Sequence, residues 1–477
     1  MDIFSKEKSP ETPKEILDKI ADVVGLKGII IDSTDMEPYL KEARGIYIGS
    51  SPAIIRPKST SEVAAVVSIC NENKVSIVPQ GGNTGLSGGG IANGEIIINL
   101  ERLNKIRDID PYNYTIVVDA GCILAEIQKT AEEYNRFFPL SLGAEGSCQI
   151  GGNLATNAGG TAVLKYGNTR DLTLGLEVVL PNGKIWDGLK ALRKDNTGYN
   201  LKQIFIGSEG TLGIITGAVM KLFPLPRERQ TSFVALKNLE TVIELLSKAR
   251  LASADTISTF ELIPRIGLDL SLKHIPGTID PMVDKHEYYA LIEFESGATN
   301  SGLNIIMERF LSEALEEELL VDAVICQSIN QREQMWSIRE GMVLAQSLEG
   351  ASIKNDISVP ISKVPEFIHR ANTVLASYYP GIRPVAFGHI GDGNIHYNLQ
   401  QPIGTDNEKF LSRWHDVTEL VVEIVYDLKG SFSAEHGIGM FKVSELLEYK
   451  SSVEIELMRS IKKSFDPIGI MNPGKVL

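Results

Sequence analysis

Three glycine-rich tracts constrain the fold of this chain more than any other feature of its sequence. The first is PQGGNTGLSGGG (79–90), the second runs from Gly143 to Gly167, and the third is GSEGTLGIIT (207–216). Glycine makes up 43 of the 477 residues, and the excess is concentrated in this part of the chain. Because glycine permits sharp bends and close approach of the backbone, the tracts indicate either tight turns or backbone that lies against a ligand.

The first tract directly follows the apolar strand VSIVP. Successive backbone N–H groups in such a turn can bind phosphate oxygens. The tract is not a Walker loop, since it has no GK[ST], and Gly82, Gly85 and Gly88 are spaced GxxGxxG, unlike the dinucleotide-binding GxGxxG. On spacing alone it is either a phosphate-binding loop or a tight structural turn. The second tract either wraps a flat ligand or forms a buried crossover.

The chain divides in composition after the third tract. From AIIRP onwards, strands and helices alternate, which indicates an α/β or α+β domain. Pro224 and Pro226 mark a boundary, beyond which apolar strands and long helices predict an antiparallel sheet with helices on one face. We expect a first domain at 1–225, a second at 226–430, and a C-terminal segment, 431–477, that returns to the first.

The charge of the chain excludes nucleic acid as a partner. Lys and Arg number 47 against 61 Asp and Glu, a net charge of −14, whereas phosphate binding needs a basic face. An anionic substrate therefore needs a local cationic pocket. The four cysteines form no CxxC pair, and neither a signal peptide nor an apolar membrane-spanning run is visible. We expect a cytoplasmic protein with no transmembrane segment, and peripheral membrane contact is left open.

The run VAFGHIGDGNIHYNL predicts a β-hairpin that carries two histidines. If Asp392-Gly393 forms a two-residue turn, His389 lies opposite His396, with Cβ atoms about 4.5–5.5 Å apart. Asn398 projects from the same face as His396. The two imidazoles then either bind one metal ion or form hydrogen bonds across the strands.

Downstream, SAEHGIGM supplies Glu435 and His436. Two histidines and one carboxylate with an open position are typical of a catalytic metal site. Arg339, on a predicted helix, and Lys354, on the strand after it, are either surface charges or the cationic pair that an anionic substrate requires.

These segments resemble a known group of flavoproteins. The three glycine tracts resemble the FAD-binding domain of the vanillyl-alcohol oxidase and p-cresol methylhydroxylase superfamily, over a region from about Arg56 to Asn472. GHIGDGNIHYN and EHGIG are similar to segments of the FAD-linked D-2-hydroxy acid dehydrogenases, a branch that includes D-lactate and D-2-hydroxyglutarate dehydrogenases. The resemblance implies an α+β fold, with a two-subdomain FAD-binding domain of the p-cresol methylhydroxylase type and an antiparallel-sheet substrate (cap) domain with helices on one face.

The resemblance implies that FAD lies along the three tracts, with its pyrophosphate on Gly81 to Gly85. Since the first histidine in the chain is His274, we expect FAD to be bound non-covalently. The implied cofactor contacts are Pro79, Gly81, Gly82, Asn83, Thr84, Gly85, Gly143, Gly146, Ser147, Gly152, Asn153, Asn157, Gly159, Gly160, Gly213, Ile214, Ile215 and Asn472.

The resemblance also implies roles for the histidine-carboxylate cluster. His389, His396 and Glu435 are the implied ligands of a divalent metal, usually zinc in that branch. His389 and Asn398 would contact the substrate, and His436 would be the general base.

Arg339 and Lys354 match positions that hold the distal carboxylate in the D-2-hydroxyglutarate branch. This match favours D-2-hydroxyglutarate over D-lactate or D-malate. Val343 stands where the branch can carry a threonine, one helical turn after the arginine. A hydroxyl contact to the distal carboxylate is then missing, so the length of the substrate stays open.

The expected reaction is oxidation of a D-2-hydroxy acid to the 2-oxo acid. Since no CxxC runs could hold an iron–sulfur cluster, we expect an external electron acceptor, either a quinone or an electron-transfer flavoprotein. A homodimer is left open. Two alternatives are a metal-dependent hydrolase, in which the glycine tracts are purely structural, and a flavin-binding protein without catalytic activity.

Overall fold

The computed structural model describes residues 12–477 as a mixture of helices and strands. Within these residues, no helix combines the length and the apolar character that a membrane crossing requires. The α-helices are α1 Lys14–Val24, α2 Ser33–Leu40, α3 Thr60–Glu72, α4 Leu124–Glu133, α5 Ile150–Thr156, α6 Val163–Tyr166, α7 Lys202–Phe205, α8 Thr241–Ala252, α9 Arg265–His274, α10 Leu303–Glu316, α11 Ile329–Glu349, α12 Val364–Tyr378, α13 Asn407–Leu411, α14 Trp414–Asp427, α15 Val443–Tyr449 and α16 Ser452–Phe465.

The strands follow the alternation of apolar runs and turn residues in the sequence. They are β1 Ile29–Ile30, β2 Ile54–Ile55, β3 Ile77–Gln80, β4 Ile96–Asn99, β5 Ile106–Asp110, β6 Thr115–Asp119, β7 Arg136–Phe137, β8 Thr173–Val179, β9 Ile185–Gly188, β10 Ile214–Lys221, β11 Phe223–Pro224, β12 Glu228–Leu236, β13 Ile257–Pro264, β14 Tyr288–Ser296, β15 Leu320–Ile325, β16 Ser352–Ile353, β17 Asp356–Ser358, β18 Arg383–His389 and β19 Asn394–Gln400.

The chain divides into two units. Unit 1 comprises the residues up to Gly159, Asn168–Pro224 and Glu435–Leu477, and unit 2 comprises Gly160–Gly167 and Leu225–Ala434. The short passage of residues 160–167 through unit 2 was not predicted from the sequence. It contains α6, and it begins within the second glycine tract.

Unit 1 contains two main sheets, as expected of a two-subdomain FAD-binding domain. One has the order β1-β2-β4-β3, with parallel pairs between β2 and β4 and between β3 and β4. The other has the order β5-β6-β10-β8-β9 and is antiparallel. The helix α3 begins at an N-cap, Ser59, whose hydroxyl accepts the Glu62 N–H at 3.2 Å.

Unit 2 is built on an antiparallel sheet in the order β15-β12-β14-β13-β18-β19-β16, with β17 also paired to β19. The antiparallel sheet was predicted, but the placement of its helices on one face was wrong. Val234 and Leu236 on β12 pack into a core with α8, α10, α12 and α14. Their neighbours Phe233 and Ala235 pack into a second core with α9 and α11. Because the central strands are apolar on both faces, both faces need a covering layer of helices.

A buried carboxylate joins the sheet of unit 2 to helix α11. Glu293 on β14 accepts two hydrogen bonds from the Arg332 guanidinium, at 2.6 and 2.9 Å. The Thr231 hydroxyl and the Trp336 indole N–H donate to it as well, at 2.6 and 3.3 Å. Burial alone would raise the pKa of Glu293, but the hydrogen bonds and charge of Arg332 and the hydrogen bond of Thr231 hold it below its ordinary value.

We expect replacement of Glu293 by alanine to lower the free energy of unfolding by about 3 kcal/mol, because it leaves Arg332 without its buried partner. Urea unfolding of the purified variant measures this change. Asp427→Ala breaks an exposed ion pair with Arg370 and should cost less than about 1 kcal/mol. Equal losses in the two variants would contradict a structural role for Glu293.

Candidate active site

The three glycine tracts line one cavity in unit 1. Its wall consists of residues from 79–91, 148–156 and 208–215, together with His436 and two flanking residues. The cavity contains about 1100 Å³ of space that no protein atom fills, part of it open to solvent.

The implied cofactor residues divide into two groups. Those that line the cavity are Pro79, Gly81, Gly82, Asn83, Thr84, Gly85, Gly152, Asn153, Gly213, Ile214 and Ile215. Those outside its lining are Gly143, Gly146, Ser147, Asn157, Gly159, Gly160 and Asn472.

Two residues of the second group support the cavity from behind. Asn472 donates its amide to the carbonyl oxygens of Gly89 and Glu209, at 3.0 and 2.7 Å, and so links the first and third tracts. Asn157 ends α5 in a left-handed conformation, and its side-chain oxygen accepts the Arg170 N–H at 2.9 Å. Both asparagines therefore hold the tracts in place.

The glycines of the cavity differ in what a side chain at each position would contact. A Cβ atom on Gly82 would lie 2.2 Å from the Ser147 carbonyl oxygen, so close packing of the protein accounts for that glycine. Around Gly85 and Gly152, no atom of residues 12–477 lies within 4 Å of the Cβ position, apart from the adjacent residues and the helix backbone around Gly152. Neither has the positive φ that favours glycine. The space beside these two glycines therefore fits a ligand that approaches the backbone closely.

An orphaned polar atom points to the same conclusion. The side-chain oxygen of Gln149, a cavity-lining residue, is buried and has no hydrogen-bond partner in the described part of the chain. A buried acceptor of this kind costs free energy unless a donor satisfies it. The cavity thus fits a polar cofactor that carries hydrogen-bond donors, as FAD does.

Glu209 joins the third glycine tract to the segment that carries His436. Its carboxylate accepts the backbone N–H groups of Ile438 and Gly439, each at 2.8 Å. On the other side, the Ser87 hydroxyl donates to the Gly437 carbonyl at 3.1 Å. Burial raises the pKa of Glu209. Glu209 was not predicted, although a single carboxylate within a tract expected to contact a ligand was a visible signal.

Alanine at Gly85 should leave the stability of the cofactor-free protein unchanged, because its methyl group enters empty space. We expect the same change to weaken FAD binding at least about tenfold, or 1.4 kcal/mol, by occupying the place of the ligand. Titration of the apoprotein with FAD measures the affinity.

Gly82→Ala is the matched control, since its methyl group meets the Ser147 carbonyl and should lower the stability of the protein itself. If Gly85→Ala bound FAD as tightly as the parent, the cavity beside Gly85 would not be the cofactor site.

In unit 2, the hairpin that carries two histidines has a longer turn than predicted. His396 lies opposite Phe387, so the expected pairing of His389 with His396 is wrong. The turn spans residues 390–393, because Gly393 adopts φ +80° and donates its N–H to the His389 carbonyl at 3.1 Å. The register differs by two residues, and an even shift keeps both histidines on one face.

The two imidazoles lie side by side, with ring centroids 5.5 Å apart. β17 places Asp356 directly opposite His396, with Oδ1 of the aspartate 3.7 Å from Nδ1 of the histidine. Asn398 is buried on the same strand, two residues beyond His396. Asp356 was not predicted, because its pairing with His396 depends on the register of a short strand.

Glu435 and His436 directly follow a residue that is fixed to β17. The Ala434 N–H donates to the Asp356 carbonyl at 3.2 Å, and Ala434 is the last residue of unit 2. Asp356 and His396 offer ligand atoms within 4.8 Å of each other, and so do Glu435 and His436. Imidazole and carboxylate groups are the donors that zinc prefers.

A buried carboxylate lies behind His389. Glu261 on β13 pairs with His389 across the sheet, and Oε1 of the glutamate lies 2.5 Å from Nδ1 of the histidine. Its other oxygen, Oε2, accepts the Arg339 Nε–H at 2.5 Å. Although burial alone would raise it, the charges and hydrogen bonds of His389 and Arg339 lower the pKa of Glu261 to about 2. Glu261 was not predicted, although it is the one charged residue in the apolar run ISTFELI.

The cationic residues predicted from the sequence lie in different settings. Arg339 is on α11, as expected, is only 6% exposed, and its guanidinium lies over the Phe387 ring at 4.8 Å. This burial rules out an ordinary surface charge. Lys354 lies in the two-residue break between β16 and β17, not within a strand. Val343, one turn after Arg339, is 45% exposed.

Known families match both halves of the chain. Residues 51–188 match the FAD binding domain family, and residues 225–476 match the C-terminal domain of the FAD linked oxidases. The protein belongs to the FAD-linked oxidase family. Membership confirms the resemblance noted in the sequence and FAD as the cofactor of this FAD-linked oxidase.

Relatives of this FAD-linked oxidase include D-2-hydroxyglutarate dehydrogenases. The mitochondrial enzyme of Arabidopsis thaliana is 38% identical over 457 residues, 96% of this chain and 80% of that protein. The enzyme of Stutzerimonas stutzeri is 35% identical and covers 98% of this chain and 99% of its own length. The D-2-hydroxyglutarate–pyruvate transhydrogenase of Saccharomyces cerevisiae is 35% identical, over 90% of this chain and 87% of that protein.

Solved structures confirm the expected fold class. p-Cresol methylhydroxylase with substrate bound is similar at a TM-score of 0.78 and 18% identity, over 97% of this chain and 96% of that chain. Alkyldihydroxyacetonephosphate synthase gives a TM-score of 0.74 at 18% identity, over 99% of this chain and 87% of that chain. At this level of identity, the likeness shows the fold alone.

Proposed function

We propose that this FAD-linked oxidase oxidises D-2-hydroxyglutarate to 2-oxoglutarate, using non-covalently bound FAD and a divalent cation. The observation that carries the proposal is Glu261, whose two oxygens contact His389 and Arg339. The Glu261 carboxylate thereby connects His389 to Arg339. His389 suits the hydroxy acid end of a substrate, and Arg339 is a buried cation that suits a second carboxylate of the substrate. The names of the relatives from Arabidopsis thaliana and Stutzerimonas stutzeri agree with this substrate.

The cavity of unit 1 is the proposed FAD site. Bound FAD supplies a two-electron acceptor, which oxidation of an alcohol to a ketone requires. We propose non-covalent attachment, because the sequence has no histidine before His274. His436 lines the same cavity, so its imidazole is available beside the proposed FAD site.

His389, His396 and Glu435 are the proposed metal ligands, with Asp356 beside His396 as a further carboxylate donor. His389 lies outside the group of close ligand atoms to which His396 and Asp356 belong. Its ring is 5.5 Å from that of His396, and imidazole and carboxylate groups are donor types that fit zinc. A divalent cation held there would supply a Lewis acid that lowers the pKa of the substrate hydroxyl.

We propose that His436 accepts the proton of the 2-hydroxyl group. An imidazole performs this step well, since its pKa lies near the working pH. Asn398, buried beside the histidines, offers an amide that can donate to the substrate and fix its orientation.

Arg339 and Lys354 are proposed to bind the distal carboxylate. The Arg339 guanidinium is already fixed by Glu261 and Phe387, so little side-chain entropy is lost when it binds an anion. D-Lactate has no second carboxylate and would make no ion pair with Arg339. D-Malate is one methylene shorter than D-2-hydroxyglutarate and would reach it poorly, so we rank it between the two.

The electron acceptor is proposed to be external, either a quinone or an electron-transfer flavoprotein. The name of the Saccharomyces cerevisiae relative adds pyruvate as a third candidate, because a transhydrogenase returns the electrons to a second organic acid. Turnover with each of the three acceptors distinguishes them.

The His436→Ala variant should retain its FAD, but its substrate should reduce this flavin slowly. Loss of the general base is expected to lower the rate of anaerobic flavin reduction by D-2-hydroxyglutarate by about 10²–10⁴-fold. Stopped-flow absorbance of the flavin measures this rate. His415→Ala, at an exposed position on α14, is the control and should match the parent.

The same experiment excludes the alternatives. A metal-dependent hydrolase would bind no flavin and be colourless, and a flavin-binding protein without catalytic activity would not bleach with any D-2-hydroxy acid. Reduction of His436→Ala at the parent rate would show that another group takes the proton.

A further inference from the structure

We infer that Glu261 is the positioning residue that sets the separation between the metal end and the distal-carboxylate end of the site, and thereby selects for dicarboxylate substrates. This inference rests on the proposed function for its substrate, but its first consequence concerns metal binding alone. No role in the reaction follows for Glu261 from the family match or from the names of the relatives.

The geometry gives Glu261 two distinct partners. The residue is 1% exposed and lies directly opposite His389 in the pairing of β13 with β18. Oε1 contacts the histidine Nδ1, and Oε2 contacts the Arg339 Nε, both at 2.5 Å. Because each oxygen serves one partner, neither contact can shift without disturbing the other.

The contact with His389 decides which ring nitrogen is available. A carboxylate at Nδ1 favours the tautomer with its proton on that nitrogen, and it leaves Nε2 as the free electron pair for a metal ion. Carboxylates that support metal-bound histidines in this way typically raise metal affinity about 10–100-fold. Glu261 is therefore expected to act on metal binding without being a ligand.

The contact with Arg339 fixes the orientation of the guanidinium. Its Nε–H is bound to Glu261, and its plane lies over the Phe387 ring at 4.8 Å. The terminal N–H groups then remain to grip a carboxylate. Since His389 and Arg339 are both attached to one rigid carboxylate, the length of the acid that can reach both is fixed.

Glu293 offers a matched control in the same sheet. It lies on the adjacent strand β14, is 3% exposed, and is bound by an arginine of the same helix, Arg332. No histidine contact is found for Glu293 among residues 12–477. Loss of either carboxylate should disturb the unit to a similar degree, but loss of Glu261 alone should affect the metal and the distal carboxylate.

The test compares Glu261→Gln, Glu261→Asp and Glu293→Gln in the full-length holoprotein. After dialysis against a zinc buffer series, metal content per chain by mass spectrometry should show at least about tenfold weaker zinc binding in Glu261→Gln. Glu293→Gln should bind zinc like the parent. Glu261→Asp keeps the negative charge on a side chain that is one methylene shorter, so its zinc affinity should lie between those of Glu261→Gln and the parent.

The second readout is the ratio of kcat/KM for D-2-hydroxyglutarate to that for D-lactate. We expect this ratio to fall at least about tenfold in Glu261→Gln, mainly through KM for the dicarboxylate, and to stay unchanged in Glu293→Gln. Flavin content, measured in parallel, should stay at the parent level in every variant.

Parent-like zinc affinity together with a parent-like substrate ratio in Glu261→Gln would overturn the inference. If that variant does not fold, the same two measurements on Glu261→Asp decide the matter. Failure of the proposed function looks different, because the parent itself would then not be reduced by D-2-hydroxyglutarate. The zinc measurements would still test the support of His389 by Glu261.

Discussion

The need to neutralise buried charge governs the architecture of unit 2. Neighbouring strands β13 and β14 carry the carboxylates of Glu261, Glu293 and Glu295 into a sheet that is apolar on both faces, and an unpaired charge there would cost several kcal/mol. Arg332 and Arg339 meet the first two of these carboxylates from one helix. Because these arginines are seven residues apart, or about two turns, they share a face of α11, and the two ion pairs fix the register of that helix. The position of the Arg339 guanidinium follows from this register.

Much of the site was predictable, because it is encoded locally. Glycine tracts after apolar strands indicated a cofactor cavity, and the structure gathers all three tracts around one space. The Asp392-Gly393 dipeptide predicted the hairpin that brings His389 and His396 together, and period-two alternation placed them on one face. A local pattern suffices in such cases, since the groups concerned are few residues apart.

What was missed depends on contacts between distant segments. Glu261 reaches His389 across 128 residues, and Glu209 reaches Gly439 across 230. The length of the hairpin turn was also not predicted. The sequence is compatible with the four-residue turn at 390–393 and with a two-residue turn, and pairing with the neighbouring strands determines which of the two forms. Likewise, strands that are apolar on both faces carry no alternation, so the second layer of helices left no local signal.

The passage of residues 160–167 through unit 2 has a consequence for how the protein is made. Lys165 and Tyr166 donate hydrogen bonds to Glu295. The Leu164 side chain packs against Gly391 in the turn of the histidine hairpin, so closely that a Cβ atom on this glycine would lie 2.8 Å from it. A recombinant fragment that starts at Leu225 would lack these groups and keep the carboxylate they satisfy. Unit 2 is thus not a continuous stretch of the gene. During translation, residues 160–167 leave the ribosome well before residues 225–434. They can pack into unit 2 only after β13 and β14 have been synthesised.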